Sequence, residues 1–122
     1  MMNMYQENIL DHNRSPRNYG KIEDGISRKE VNMLCGDEIE VSMKIEGSRI
    51  SDVKFKGEGC AISQASASIF IEYIKGKKLE EVKSLQKEDI LEMLGIPISP
   101  TRLKCALLVL YAIKECLEQN KC

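Results

Sequence analysis

Cys35, Cys60 and Cys105 are the residues of this chain best suited to chemistry, because each sits where elements meet. Cys35 opens Cys35-Gly36-Asp37. Cys60 closes Gly57-Glu58-Gly59-Cys60, and Cys105 ends Arg102-Leu103-Lys104-Cys105, one turn into a helical pattern. Three thiolates and a carboxylate could hold a zinc ion or an iron–sulfur fragment, or pass sulfur on. A buried cysteine often serves only as a small hydrophobe, and three features argue against that here. The Gly36-Asp37 turn leaves little cover over the Cys35 thiol. Cys60 directly precedes a helix, whose first N–H groups favour a thiolate. At 100° per residue, Cys105 falls roughly opposite the Leu103/Leu107/Leu110 stripe of its helix. Asp37, two residues from Cys35, is the natural fourth group, although aspartate is also common in turns. Arg102 and Lys104 could offset the negative charge of this set; a purely solvated role suits Lys104 better than Arg102. Spacing alone leaves open whether these side chains converge.

The other candidates drop out by position. Cys116 lies eleven residues beyond Cys105 on the same helix, roughly 16 Å along its axis and too far to share a metal. It is expected to flank the core, and the terminal Cys122 to fray. His12 is the single histidine. Its place on the first helix suits packing or capping better than ligation.

The elements that must position these groups follow from periodicity. Tyr5, Ile9 and His12 share a helical face over residues 5–13, which Ser15-Pro16-Arg17-Asn18-Tyr19-Gly20 ends. Strands are expected at 28–34, 38–45 and 50–56. In the second, Ile39, Val41, Met43 and Ile45 alternate with polar residues. In the third, Val53 and Phe55 point inward, after a turn at Glu46-Gly47-Ser48. The three form an antiparallel meander with one wet face. After Gly59 the period changes to about 3.6. Ile62, Ala65, Ile69 and Tyr73 then mark the expected face of a helix running to Lys75-Gly76. Short helices are expected at 79–84 and 88–94. Ser99 and Pro100 start a last helix reaching about residue 119, with Leu103, Ala106, Leu107, Leu110, Ile113 and Leu117 as its stripe. Ser63, Ser66 and Ser68, interleaved with alanines, favour close helix packing. They would also keep space open near Cys60.

Composition excludes several classes. The 122 residues allow one domain with a core, and lysine plus arginine (18) nearly balance aspartate plus glutamate (19) for a net charge of −1. No basic face points to nucleic acid, and no run approaches a membrane span. The Met1-Met2-Asn3-Met4 start is no export signal, so a cytoplasmic, reducing setting is expected. Five cysteines without a C-x-x-C pair disfavour a disulfide framework or a thioredoxin-like pair.

These motifs also resemble a known family. Tyr5-Gln6-Glu7-Asn8-Ile9-Leu10-Asp11-His12 with Ser15-Pro16-Arg17-Asn18-Tyr19-Gly20 is similar to the N-terminal signature of the IscU/SufU/NifU-N scaffolds. Cys35-Gly36-Asp37, Gly57-Glu58-Gly59-Cys60-Ala61-Ile62-Ser63 and Arg102-Leu103-Lys104-Cys105-Ala106 are similar to its cysteine motifs, in the family's order and over nearly the whole chain. The resemblance implies an α+β fold, a three-stranded antiparallel sheet packed against helices, in one domain spanning residues 1–122. It implies that Cys35, Asp37, Cys60 and Cys105 converge on one exposed site. That site would hold iron or a transient [2Fe–2S] cluster, and Zn2+ in the cluster-free form. The implied partners are a pyridoxal-phosphate cysteine desulfurase and recipient apo iron–sulfur proteins. Cys35 is the candidate persulfide acceptor and Cys105 the alternative.

The chain departs from both branches of the family. IscU places a histidine where Lys104 stands. Its Leu-Pro-Pro-Val-Lys chaperone segment reads Ile98-Ser99-Pro100-Thr101-Arg102 here, which argues against recognition by the dedicated Hsp70-type chaperone. The Gly-Glu-Gly-Cys and Arg-x-Lys-Cys wording resembles SufU, yet residues 79–98 leave no room for the usual SufU insertion. A zinc-dependent sulfurtransferase is therefore the alternative to a scaffold, and a purely structural zinc module a third reading. The oligomer implied is a monomer or a cluster-bridged assembly.

Overall fold

The computed structural model describes residues 4–32 and 36–119. Its elements run α1 (Met4–Arg14), β1 (Ile26–Asn32), β2 (Asp37–Glu46), β3 (Arg49–Glu58), α2 (Ala61–Ile74), α3 (Leu79–Lys83), α4 (Lys87–Leu94) and α5 (Pro100–Gln119). The strands form an antiparallel sheet in the order β1-β2-β3, and helices pack on it: the α+β arrangement expected. The end of the first expected strand, together with Cys35, falls at residues 33–35, outside the described residues.

Alternation makes the sheet two-sided. Ile39, Val41, Met43, Val53 and Phe55 are fully buried beneath the helices. Gly47, at φ 61°, turns β2 into β3, a backbone geometry glycine adopts without strain. The opposite face is less wet than expected. Residues 18–22 cross it, the Ile22 N–H donates to Ser42 Oγ at 2.9 Å, and Ser42 is 1% exposed. The same segment shields the outer edge of β3: Gly20 N–H donates to Phe55 O at 2.7 Å and Phe55 N–H to Asn18 O at 3.0 Å. An open strand edge would otherwise invite pairing with another chain.

The buried face of α2 differs from the expected one. Tyr73 is 45% exposed and Ile62 and Ile69 are half-buried, whereas Ser63, Ala67, Phe70, Ile71 and Ile74 are buried. The helix is covered on several sides by α1, α5 and the sheet, so its small polar residues face inward. This is the packing role: Ser66 Oγ donates to Ala106 O at 2.6 Å. Ser68 Oγ accepts the Arg17 N–H at 2.8 Å and lies 2.7 Å from His12 Nδ1. Burial, aided by the positive Arg17, pushes the pKa of His12 down.

Helix α5 is also enclosed more fully than a single stripe suggests. Ala106, Leu107, Leu108, Val109, Leu110, Ala112, Ile113, Cys116 and Leu117 are all buried between α2 and the sheet. Cys116 is in the core itself, its Sγ 3.8 Å from Val41 O. Ser99 precedes Pro100 as expected, but its Oγ pairs with Thr101 Oγ1 at 3.1 Å. Among the described residues, no helix is long and apolar enough to cross a membrane.

Candidate metal and sulfur site

Three element ends meet at one corner of the molecule. Asp37 is the first residue of β2, Cys60 immediately precedes α2, and Cys105 lies in the second turn of α5. One donor atom from each lies within 4.8 Å of the others. They open into a pocket of about 610 Å3 lined by Gly36, Asp37, Gly59, Cys60, Thr101, Arg102 and Cys105. Cys60 and Cys105 belong to this cluster, and Cys116 does not.

Local chain geometry places each donor. Gly59 lets the end of β3 pass against Asp37: a Cβ there would lie 2.4 Å from Ser63 Oγ and 2.9 Å from Asp37 Cγ. The close approach allows the Cys60 N–H to donate to Asp37 Oδ1 at 3.2 Å. Cys60 itself is extended, at φ −75° and ψ 169°. Its carbonyl accepts Ser63 Oγ–H at 3.0 Å and the Gln64 N–H at 3.2 Å, so the first turn of α2 fixes its backbone. The bond between Ser66 and Ala106 O ties α2 to the residue after Cys105, holding the two cysteine-bearing helices in register.

Burial differs from the sequence expectation. Asp37 is 4% exposed, no ordinary turn aspartate, and Cys105 is 2% exposed. Helix α5 packs against α2 and against β1 and β2 of the sheet, and Cys105 is buried with it. Cys60 is half-buried and is the more accessible thiol of the pair. Arg102, one turn before Cys105 and exposed, faces the cluster. A hydrogen bond to the Cys60 sulfur, then the charges of Cys60, Cys105 and Asp37, raises its pKa above the ordinary arginine value. Lys104 is exposed and does not line the pocket.

One neighbour had no sequence signal. Asn32, 8% exposed, directs Nδ2 to Cys105 Sγ at 3.7 Å. The contact spans 73 residues of sequence and rests on strand pairing that sets Asn32 opposite Asp37, which local spacing does not report. Thr101 reaches the pocket by following Pro100 into the first turn of α5.

Two soft sulfur donors, a carboxylate and a balancing guanidinium form a donor set suited to a thiophilic divalent ion. Residues 4–121 match the model of the NifU-like N terminal domain. The chain belongs to that family. Among its NifU-like relatives, it is 37% identical to a zinc-dependent sulfurtransferase SufU of Bacillus subtilis, over 92% of this chain and 88% of the relative. It is 38% identical to an iron-sulfur cluster assembly scaffold protein IscU of Thermotoga maritima, over 95% of this chain and 94% of the relative. A crystal structure described as a SUF-system scaffold protein from Fervidobacterium islandicum AW-1 superposes with a TM-score of 0.77. It is 32% identical and covers 91% of this chain and 94% of that one. In this chain the three described donors thus stand at the start of β2, at the β3–α2 junction and in the second turn of α5.

Proposed function

We propose that this protein is an iron–sulfur cluster assembly scaffold. It accepts sulfur from a pyridoxal-phosphate cysteine desulfurase, binds iron, builds a [2Fe–2S] cluster and passes it to recipient apoproteins. The observation that carries this reading is the meeting of Asp37, Cys60 and Cys105 donors within 4.8 Å, beside an open pocket. Cys35, adjacent in sequence to the pocket residue Gly36, completes the ligand set. An open site on element ends suits assembly and release better than storage.

Sulfur arrives by thiol–disulfide chemistry. An acceptor thiolate attacks the terminal sulfur of the desulfurase persulfide. The S–S bond there breaks, the desulfurase leaves as thiolate, and a new persulfide stands on the acceptor. Cys35 is the proposed acceptor. Cys105, at 2% exposure, is poorly placed to meet an incoming persulfide and remains the alternative. Arg102 balances the negative charge of the donor set. In the cluster-free form, Cys35, Asp37, Cys60 and Cys105 would hold Zn2+, which supplies a redox-inert positive charge that keeps the thiols deprotonated. The protein acts in the cytoplasm, as a monomer or a cluster-bridged oligomer, without the dedicated Hsp70-type chaperone.

The test is anaerobic reconstitution with iron, cysteine and a desulfurase, followed by absorption spectra and transfer to an apo-ferredoxin. A transferable [2Fe–2S] spectrum is expected. Failure under conditions that load an established scaffold would overturn the reading. The SufU relative and the Arg-x-Lys-Cys wording favour a second reading, zinc-dependent sulfur transfer. Under it, zinc-loaded protein without iron would strongly activate the desulfurase, and Cys35→Ala would abolish the activation.

A further inference from the structure

Asn32 joins the two halves of the cysteine site. Its carbonyl accepts the Gly36 N–H at 2.8 Å, closing the base of the loop that contains Cys35. In the sheet register it stands directly opposite Asp37. Its side-chain amide points the other way, to Cys105 Sγ at 3.7 Å, a normal separation for an N–H donor and the larger sulfur acceptor. The contact spans 73 residues of sequence and is buried, with Asn32 at 8% and Cys105 at 2% exposure. One residue therefore touches the β1–β2 connection through its backbone and the α5 sulfur through its side chain.

An asparagine here is specific chemistry. It meets Cys105 in a buried contact and is not one of the residues that line the pocket. Asn offers two N–H donors and one carbonyl acceptor. A sulfur ligand has lone pairs left after it binds one metal, and an N–H directed at one of them fixes the direction of the others. Such outer hydrogen bonds commonly tune metal affinity by about 10–100-fold and set the electronic properties of sulfur-ligated iron.

We infer that Asn32 is the positioning residue of this site: its Nδ2–H orients the Cys105 sulfur toward Asp37 and Cys60, and its backbone carbonyl holds Gly36 beside the same corner. The metal-binding consequence rests on the reading above; the hydrogen bond does not. Two measurements separate them.

The first uses metal-free, reduced protein and follows the Asn32 side-chain amide by 15N NMR. Cys105→Ala should shift its two proton resonances and speed their exchange with solvent, whereas Cys105→Ser, which keeps an acceptor, should restore much of the protection. Unchanged resonances in Cys105→Ala overturn the inference. The second titrates Co2+ and reads the sulfur-to-metal charge-transfer band. Asn32→Asp keeps the side-chain shape but loses the donor; Asn32→Leu removes polarity altogether. Both should still bind one Co2+, about 10–100-fold more weakly and with a displaced band. Ser66→Ala, which loosens the same helix pair without touching sulfur, should lower the melting temperature and leave the band in place. A band and affinity identical to wild type in folded Asn32→Asp overturn the role. Failure of the wild-type protein to bind Co2+ would overturn the metal-handling reading, with the NMR result still deciding the hydrogen bond.

Discussion

The fates of two buried residues, Cys116 and Asp37, follow from what each touches. Cys116 lies in the core against Val41 O, and burial, outweighing the nearby Arg28, pushes its pKa up to about 12. At pH 8 the group therefore stays a thiol, and the thiolate is the reactive form. Brief native treatment with iodoacetamide should label Cys60 and spare Cys116 until denaturant is added, as peptide mass mapping would show. Asp37 is buried too, but at a pocket wall, where its Oδ1 holds the Cys60 N–H. As the proposed oxygen ligand, Asp37 would be the hard, exchangeable partner among soft sulfurs. Asp37→Ala should therefore give a longer-lived reconstituted cluster with slower transfer to apo-ferredoxin; an unchanged transfer rate would count against the role. It should also destabilise the fold by about 1–3 kcal/mol, because the Cys60 N–H loses its acceptor.

At the scale of elements, the site depends on the β3–α2 junction. Gly59 is needed there for space rather than for an unusual φ. An alanine methyl would press on Ser63 Oγ and the Asp37 carboxylate. Both are side-chain atoms and can yield, so the fold should survive with a loss of about 1–3 kcal/mol. Their displacement is what matters, since Asp37 is a proposed ligand and Ser63 braces the Cys60 carbonyl. Gly59→Ala should weaken Zn2+ binding tenfold or more in competition with a chromophoric chelator. The strands and helices themselves were legible from periodicity, because alternation and 3.6-residue stripes report directly on burial. The face of α2 was not. It carries small and polar residues inward because it lies between α1, α5 and the sheet, and a helix covered on several sides has no single apolar stripe to read.

The whole molecule adds couplings between distant segments. His12 of α1, Arg17 of the following turn and Ser68 of α2 meet through one buried hydroxyl. Burial and then Arg17 lower the pKa of His12 below 6.5, while Glu72 and Asp11 oppose. The unfolded chain therefore takes up a proton first as pH falls, so this group's stabilisation is complete above about 6.5 and lost below it. Melting temperatures of the metal-free protein should fall between pH 7 and 5, and His12→Gln should flatten that slope. A slope of equal size in the variant would assign the loss to other groups. The sequence by itself determined the order and type of the elements, the α+β class, the family and the exclusion of Cys116 from the site. Each of these is written in local spacing or in short motifs. Only the tertiary structure decided that Asp37, Cys60 and Cys105 share one corner, that Arg102 faces it while Lys104 does not, and that Asn32 reaches Cys105. Those facts depend on how β1, β2, α2 and α5 pack across separations of tens of residues, where side-chain volume and buried hydrogen bonds, rather than periodicity, set the distances.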